Sequence, residues 1–260
     1  MTETDVGFGG VAASLVLVVI AVVLSIRQGL GVERTILWAS ARALVQLLVV
    51  GSALTLVLDD DAPVALALLW VVAMVVIAAI TIRSRAPEVP DILPVGFIAV
   101  GVATLVSQLV LYGLRIFPFE PITIVPLAGM VVGNSLAATV TGARRVVAEL
   151  AGHRLEVEAR LALGQPSRVA GRPYVRSAVR TALTAQIEST KTVGLIALPG
   201  AMTGLILAGV DPVDAVLVQV VVMYLILGAA ATATSLVGVG VSRRLFTADH
   251  RLVRLARADG

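Results

Sequence analysis

Apolar positions in this chain do not alternate with polar ones. They form long runs separated by short polar turns. A helix needs about 20 apolar residues to cross about 30 Å of hydrocarbon. Seven runs meet that need: 10–26, 36–58, 63–82, 92–114, 121–141, 181–208 and 212–241. The first carries no charge, the second is interrupted by Arg42 and Gln46, and the last is long enough to project from the bilayer. The pattern predicts an all-α polytopic membrane protein of about seven transmembrane helices, with one transmembrane domain over 1–260.

Composition agrees with this reading. The chain is 58% hydrophobic and 14% charged, whereas a soluble domain is about a quarter charged. A mean hydropathy of +0.99 leaves more apolar surface than one soluble core can bury. There is no cysteine, which excludes disulfides and thiolate metal sites.

Charge then orients the spans. With "MTETD" outside, the turns fall alternately: Arg27 and Arg34 inside, Asp59-Asp60-Asp61 outside, Arg83 and Arg85 inside, Arg115 with Glu120 outside. Segment 142–180 carries eight arginines inside, "GVDPVD" has none outside, and the tail 242–260 carries five inside. Seventeen of the twenty basic residues thus lie on one side. The expected topology is N-terminus outside and C-terminus cytosolic, in the plasma or inner membrane. The isoelectric point of 9.9 is read as a topology signal facing anionic lipid, so no nucleic acid is expected as a partner. The acidic N-terminus lacks the basic region of a signal peptide.

Segment 142–180 is the one large polar loop. Within it "RLEVEARLALGQPSR" reads as a helix with Leu155, Ala159, Ala162 and Leu163 on one side, stopped by Gly164 and Pro166. A second helix is expected to start near Pro173 and run into the sixth span. Together these form a small foot, which either docks a soluble partner or lies on lipid headgroups.

"EARLALG", Glu158 to Gly164, resembles the EAA loop of ABC-transporter permeases, with Arg160 in place of the second alanine and no Ile-x-Leu-Pro downstream. In such permeases that loop is the coupling helix seated on the ATPase subunit. The resemblance assigns coupling here to Glu158, Ala159, Arg160, Leu163 and Gly164. Four further segments, "ILWASARALVQLLVVG" (36–51), "PITIVPLAGMVVGN" (121–134), "STKTVGLIALPGAMTGLILAGVDPVDA" (189–215) and "VQVVVMY" (218–224), make nearly the whole chain similar to the FetB-type iron-export permease family, which also contains plant aluminium-tolerance permeases. The resemblance implies a permease subunit, a separate ABC ATPase partner that binds the ATP, a homodimer, and metal-ion export. No cofactor is expected on this chain.

Candidate pathway residues follow from polarity within spans. Glu188 and Lys191 are three apart, so they share a helix face and can pair. Each charge alone near mid-bilayer would cost about 2.5–3.5 kcal/mol. Pro199 and Gly200 break the sixth span, and a broken helix is tolerated at membrane depth only where protein or water meets the freed backbone. Arg42 with Gln46, Asn134 with Met130 one turn earlier, and Met202 beside the Pro199-Gly200 break complete the set, Met130 and Met202 as soft thioether donors. Each has a structural alternative: ion pair, kink, snorkelling or packing. The small-xxx-small pairs Gly129/Gly133 and Gly200/Gly204 permit close helix contact. Asp211 before Pro212 reads as a helix N-cap.

His153 and His250 both fall in cytosolic segments, and no carboxylate or histidine cluster faces the membrane interior. The metal inference rests on the resemblance, and no metal ligands are assigned. No G-x-x-x-x-G-K-[ST] occurs, so the chain is expected to be no enzyme. A gradient-driven transporter or channel using Glu188 as ion or proton carrier stands as the alternative, and a scaffold without substrate as a third reading.

Overall fold

The computed structural model describes residues 8–59, 62–196, 198–247, 249 and 251–253. "MTETD", Asp60, Asp61, His250, Arg254 and Arg257, all used above, lie outside the described residues. The described residues form two compact units, 1–62 and 63–260.

The first unit is a helical hairpin of α1 (Phe8–Gln28) and α2 (Glu33–Val57). The turn between them uses the positive φ of Gly29 and Gly31. Ser25, buried near the end of α1, donates to Glu33 Oε1 at 2.8 Å and ties the hairpin shut.

The second unit contains α3 (Val64–Arg85), α4 (Ile92–Gly113), α5 (Pro121–Gly152), α6 (Arg154–Ala162), α7 (Ser167–Thr192), α8 (Gly200–Leu207) and α9 (Pro212–Arg244). α5 and α9 form its centre, with α3, α4 and α7 packed around them. At 1.5 Å per residue α9 is about 50 Å long, which exceeds the hydrocarbon thickness and matches the expected projection. Asp211 caps it as expected, its carboxylate accepting from the Val213 N–H at 2.8 Å.

Six helices, α1 to α5 and α9, are long and apolar enough to cross a membrane. The seventh expected span is not one helix. Segment 181–208 is divided between the end of α7 and the short α8, with Val193 to Pro199 between them. Val193 is extended and Gly194 has φ +83°, so the helix has stopped before Pro199 is reached.

The loop 142–180 also differs from expectation. It is mostly helix. α5 continues to Gly152 because Ala143, Val146, Val147 and Leu150 keep a buried stripe at helical spacing. α7 starts at Ser167, six residues before the expected Pro173 start. The stripe Ala170, Tyr174, Ala178, Ala182 recurs every four residues and buries one face from the first turn. Pro173 lies off that face and is exposed, so its ring costs a backbone hydrogen bond but no packing.

Two apolar clusters fill this unit. One joins Ile82, Val146, Leu150, Val157, Val241 and Leu245 at the end of the bundle that carries Arg83, Arg144, Arg160 and Arg244. We call this the basic end. The other joins Leu111, Leu127, Val131, Val222 and Ile226 toward the opposite end.

Candidate functional site: a docking foot and a broken span

The foot is α6, and its two faces differ. One face grips Tyr174 of α7. The Tyr174 hydroxyl donates to Glu156 Oε2 at 2.7 Å, His153 stacks on the ring with centroids 4.9 Å apart, and the Arg160 guanidinium lies 5.7 Å from the ring centroid. Val157 is fully buried between them. The hydrogen bond to Glu156, followed by burial, raises the Tyr174 pKa above its ordinary value.

The other face carries Leu155, Ala159, Ala162 and Leu163, all exposed, with both leucines at 82%. Gly164 ends the helix at φ +83°. The Gly164 N–H bonds to the Leu161 carbonyl and the Gln165 N–H to the Arg160 carbonyl, which is a Schellman cap. The expected stop is therefore present, and it sets the leucine face outward. Glu158 accepts from Arg154 Nε at 2.7 Å, and Arg154 Nη2 reaches the Leu252 carbonyl at 3.4 Å. The tail thus clasps the back of the foot.

The broken span holds the second candidate. Lys191 Nζ meets Glu188 Oε1 at 2.8 Å, so the expected pair forms. Both side chains are more than half exposed on the chain's own surface. After the break, Pro199 is the N-cap of α8 with extended backbone, and Gly200 is its first residue. The Met202 N–H, one of the orphan donors of that first turn, bonds to Gln219 Oε1 of α9 at 3.3 Å.

The remaining candidates are dispersed. Asn134 donates to the Met130 carbonyl one turn back, and Met130 packs against the Leu127 cluster. Met202 is half-buried on α8. Arg42 and Gln46 are exposed on α2, in the first unit. Among the described residues no three His, Asp or Glu side chains come together as a metal-binding group.

Two residues of consequence escape the sequence reading. Gln219 is a lone amide within "VQVVVMY" and is buried, and a buried amide in an apolar run signals an internal partner. Tyr174, which anchors the foot, has no local signal. It becomes important only because α6 folds back over it.

Comparison with known proteins decides the family. The model of the Uncharacterised protein family UPF0014 matches residues 8–246. The chain belongs to the UPF0014 family. This UPF0014 chain is 39% identical over 234 residues to the "UPF0014 membrane protein STAR2" of Oryza sativa subsp. japonica, covering 90% of this chain and 82% of the relative. It is 33% identical over 254 residues to the "Probable iron export permease protein FetB" of Escherichia coli (strain K12), covering 97% of each. It is 36% identical over 225 residues to "Protein ALUMINUM SENSITIVE 3" of Arabidopsis thaliana, covering 86% and 81%. No solved structure matches the chain. With its six long apolar helices, the UPF0014 chain is a multi-pass membrane protein, and its family matches the resemblance read from the sequence.

Proposed function

We propose that this chain is the membrane-spanning subunit of an ABC transporter that exports a metal ion of the iron type. A separate ATPase subunit binds and hydrolyses the ATP. The observation that carries the reading is the foot. α6 is tied to Tyr174 on one face and offers Leu155, Ala159, Ala162 and Leu163 on the other. Four apolar groups at one helical face suit a groove in a partner protein. The iron-export name of the Escherichia coli relative supports the substrate class.

The working form is a homodimer. Glu188 and Lys191 fall within segment 181–208, read from the sequence as a span, and are exposed on the isolated chain. In lipid each charge would cost about 2.5–3.5 kcal/mol. A second copy covering this face turns the pair and the α8 break into the lining of a translocation path. The chain sits in the plasma or inner membrane with its basic end, the foot and the tail in the cytosol.

The test is reconstitution with the ATPase encoded beside this chain. L155D/L163D should abolish ATPase association and stimulated hydrolysis while the melting temperature stays at the wild-type value, because both leucines face solvent. If the ATPase associates equally well with the variant, α6 is not the coupling element. If no ATPase associates with the wild type, transport must be sought as gradient-driven flux through Glu188.

A further inference from the structure

The basic end carries a site that the coupling and transport roles do not use. Arg168, Arg172, Arg176 and Arg180 recur every four residues on α7, so they form one stripe about 18 Å long. Like charges at this spacing disfavour the helix that carries them. At the same end Arg144 pairs with Glu88 at 2.6 Å, Arg154 with Glu158 at 2.7 Å and Arg244 with Asp91 at 2.6 Å, whereas Arg83, Arg85, Arg145, Arg160 and Arg243 form no ion pair among the described residues. None of the stripe arginines forms an ion pair among the described residues. What sets the stripe apart is repetition: four guanidiniums on one helix face offer an anion several donors at once.

The surroundings indicate what kind. A groove of about 420 Å³ lies between α7 and the end of α9. Arg168, Arg172, Arg176 and Arg243 line it together with Val175, Val179 and Val239. Ser235 and Ser242 complete the lining, so guanidinium, hydroxyl and apolar valine surface face one groove. A free phosphate would use the guanidiniums and gain nothing from the valines. A phospholipid suits both parts, with its phosphodiester held bidentately by two guanidiniums and its glycerol and first methylenes on the valines.

We propose that the α7–α9 groove at the basic end binds one anionic phospholipid, with the headgroup phosphate on Arg172, Arg176 and Arg243. The lipid neutralises the stripe and fixes α7 relative to α9. α7 leads from the foot into the broken span, so the lipid steadies the element that joins the two.

Native mass spectrometry of the purified full chain in neutral detergent tests this. The probes are dioleoyl phosphatidylglycerol, dioleoyl phosphatidylcholine, glycerol 3-phosphate and inorganic phosphate. One phosphatidylglycerol should stay bound in preference to phosphatidylcholine. R172Q/R176Q should weaken it about twenty-five-fold, about fivefold for each basic side chain removed near an anionic headgroup. R83Q/R85Q, at the same end but outside the groove, should leave it unchanged. Equal retention of the two lipids overturns the proposal, as does undiminished binding to R172Q/R176Q. If glycerol 3-phosphate or inorganic phosphate displaces the lipid at equal concentration, the groove is a soluble-anion site and the lipid assignment fails. If the added ATPase subunit releases the lipid, the stripe belongs to a protein interface and the assignment also fails. Should R172Q/R176Q not fold, R168Q/R243Q gives the same readings, since both side chains are exposed.

Discussion

The Tyr174 hydroxyl donates a 2.7 Å hydrogen bond to Glu156 Oε2, joining α7 to the foot. The bond needs the protonated phenol, so it raises the Tyr174 pKa above the ordinary value of 10.0. The folded pKa exceeds the unfolded one. The contribution to stability is therefore complete below about pH 10 and is lost as pH rises from there through the folded pKa. The chain has three tyrosines. The difference between tyrosinate absorbance titrations of wild type and Tyr174→Phe should show a midpoint above 10, and Glu156→Gln should lower it. An unchanged midpoint in Glu156→Gln would mean that the carboxylate is not the cause.

Glycines in the central helices should divide into two groups. A Cβ at Gly142 would lie 2.9 Å from Thr234 Cγ2, at Gly238 2.7 Å from Val179 Cγ2, and at Gly240 2.6 Å from Val95 Cγ1. Those neighbours are branched and short, so they cannot swing away. Gly142→Ala, Gly238→Ala and Gly240→Ala should each destabilise by about 1–3 kcal/mol. At Gly133 a Cβ meets nothing within 4 Å, and Gly133→Ala should be neutral, or stabilising by about 0.5–1 kcal/mol through lower backbone entropy in the unfolded chain. Thermal unfolding in detergent would separate the groups. A uniform response would refute the packing account.

Those glycines also show what the sequence could reveal. Small-xxx-small spacing marked Gly129/Gly133 and Gly200/Gly204, yet within the chain no atom comes within 4 Å of a Cβ at Gly133, Gly200 or Gly204. Spacing states that close approach is permitted and leaves open whether a neighbour arrives. Six of the seven expected spans were legible because length and hydropathy act on each segment alone, whereas 181–208 passed the same test and is broken at Val193 to Pro199. The Asp211 cap and the Gly164 stop were legible because each depends on a few adjacent residues. The start of α7 was not, because Pro173 looked like a local boundary while the deciding stripe, Ala170 to Ala182, gains its energy from α5 and α9. Tyr174 and Gln219 were missed for the same reason. Their partners, Glu156 and the Met202 N–H, are 18 and 17 residues away.

The tail is a structural clasp as well as a carrier of arginines. Leu245 is fully buried and Leu252 nearly so, Phe246 and Leu252 pair as a small antiparallel bridge, and the Phe246 ring would lie 3.1 Å from a Cβ on Gly171. Leu245→Ala should cost about 2–5 kcal/mol. Truncation after Arg244 removes the Leu252 carbonyl that Arg154 reaches, so proteolysis within 153–166 should accelerate. Wild-type melting and protease resistance in the truncated chain would show that the clasp contributes nothing.

The Glu188–Lys191 pair separates a pathway role from a structural one. An exposed ion pair contributes about 0.2–1 kcal/mol, and this one is more than half exposed on the isolated chain. Glu188→Gln should therefore shift the melting temperature in detergent only slightly. In the proposed dimer the same change leaves Lys191 unpaired within a lined path. Metal-ion efflux from vesicles containing the chain and its ATPase should fall at least tenfold, with ATPase association intact. Glu188→Gln/Lys191→Met removes both charges. If the two residues only neutralise each other, the double variant should regain wild-type efflux, because no lone charge is left within the span. If the pair handles the ion, the double variant should stay as slow as Glu188→Gln. Unimpaired efflux in Glu188→Gln itself would remove the pair from the pathway altogether.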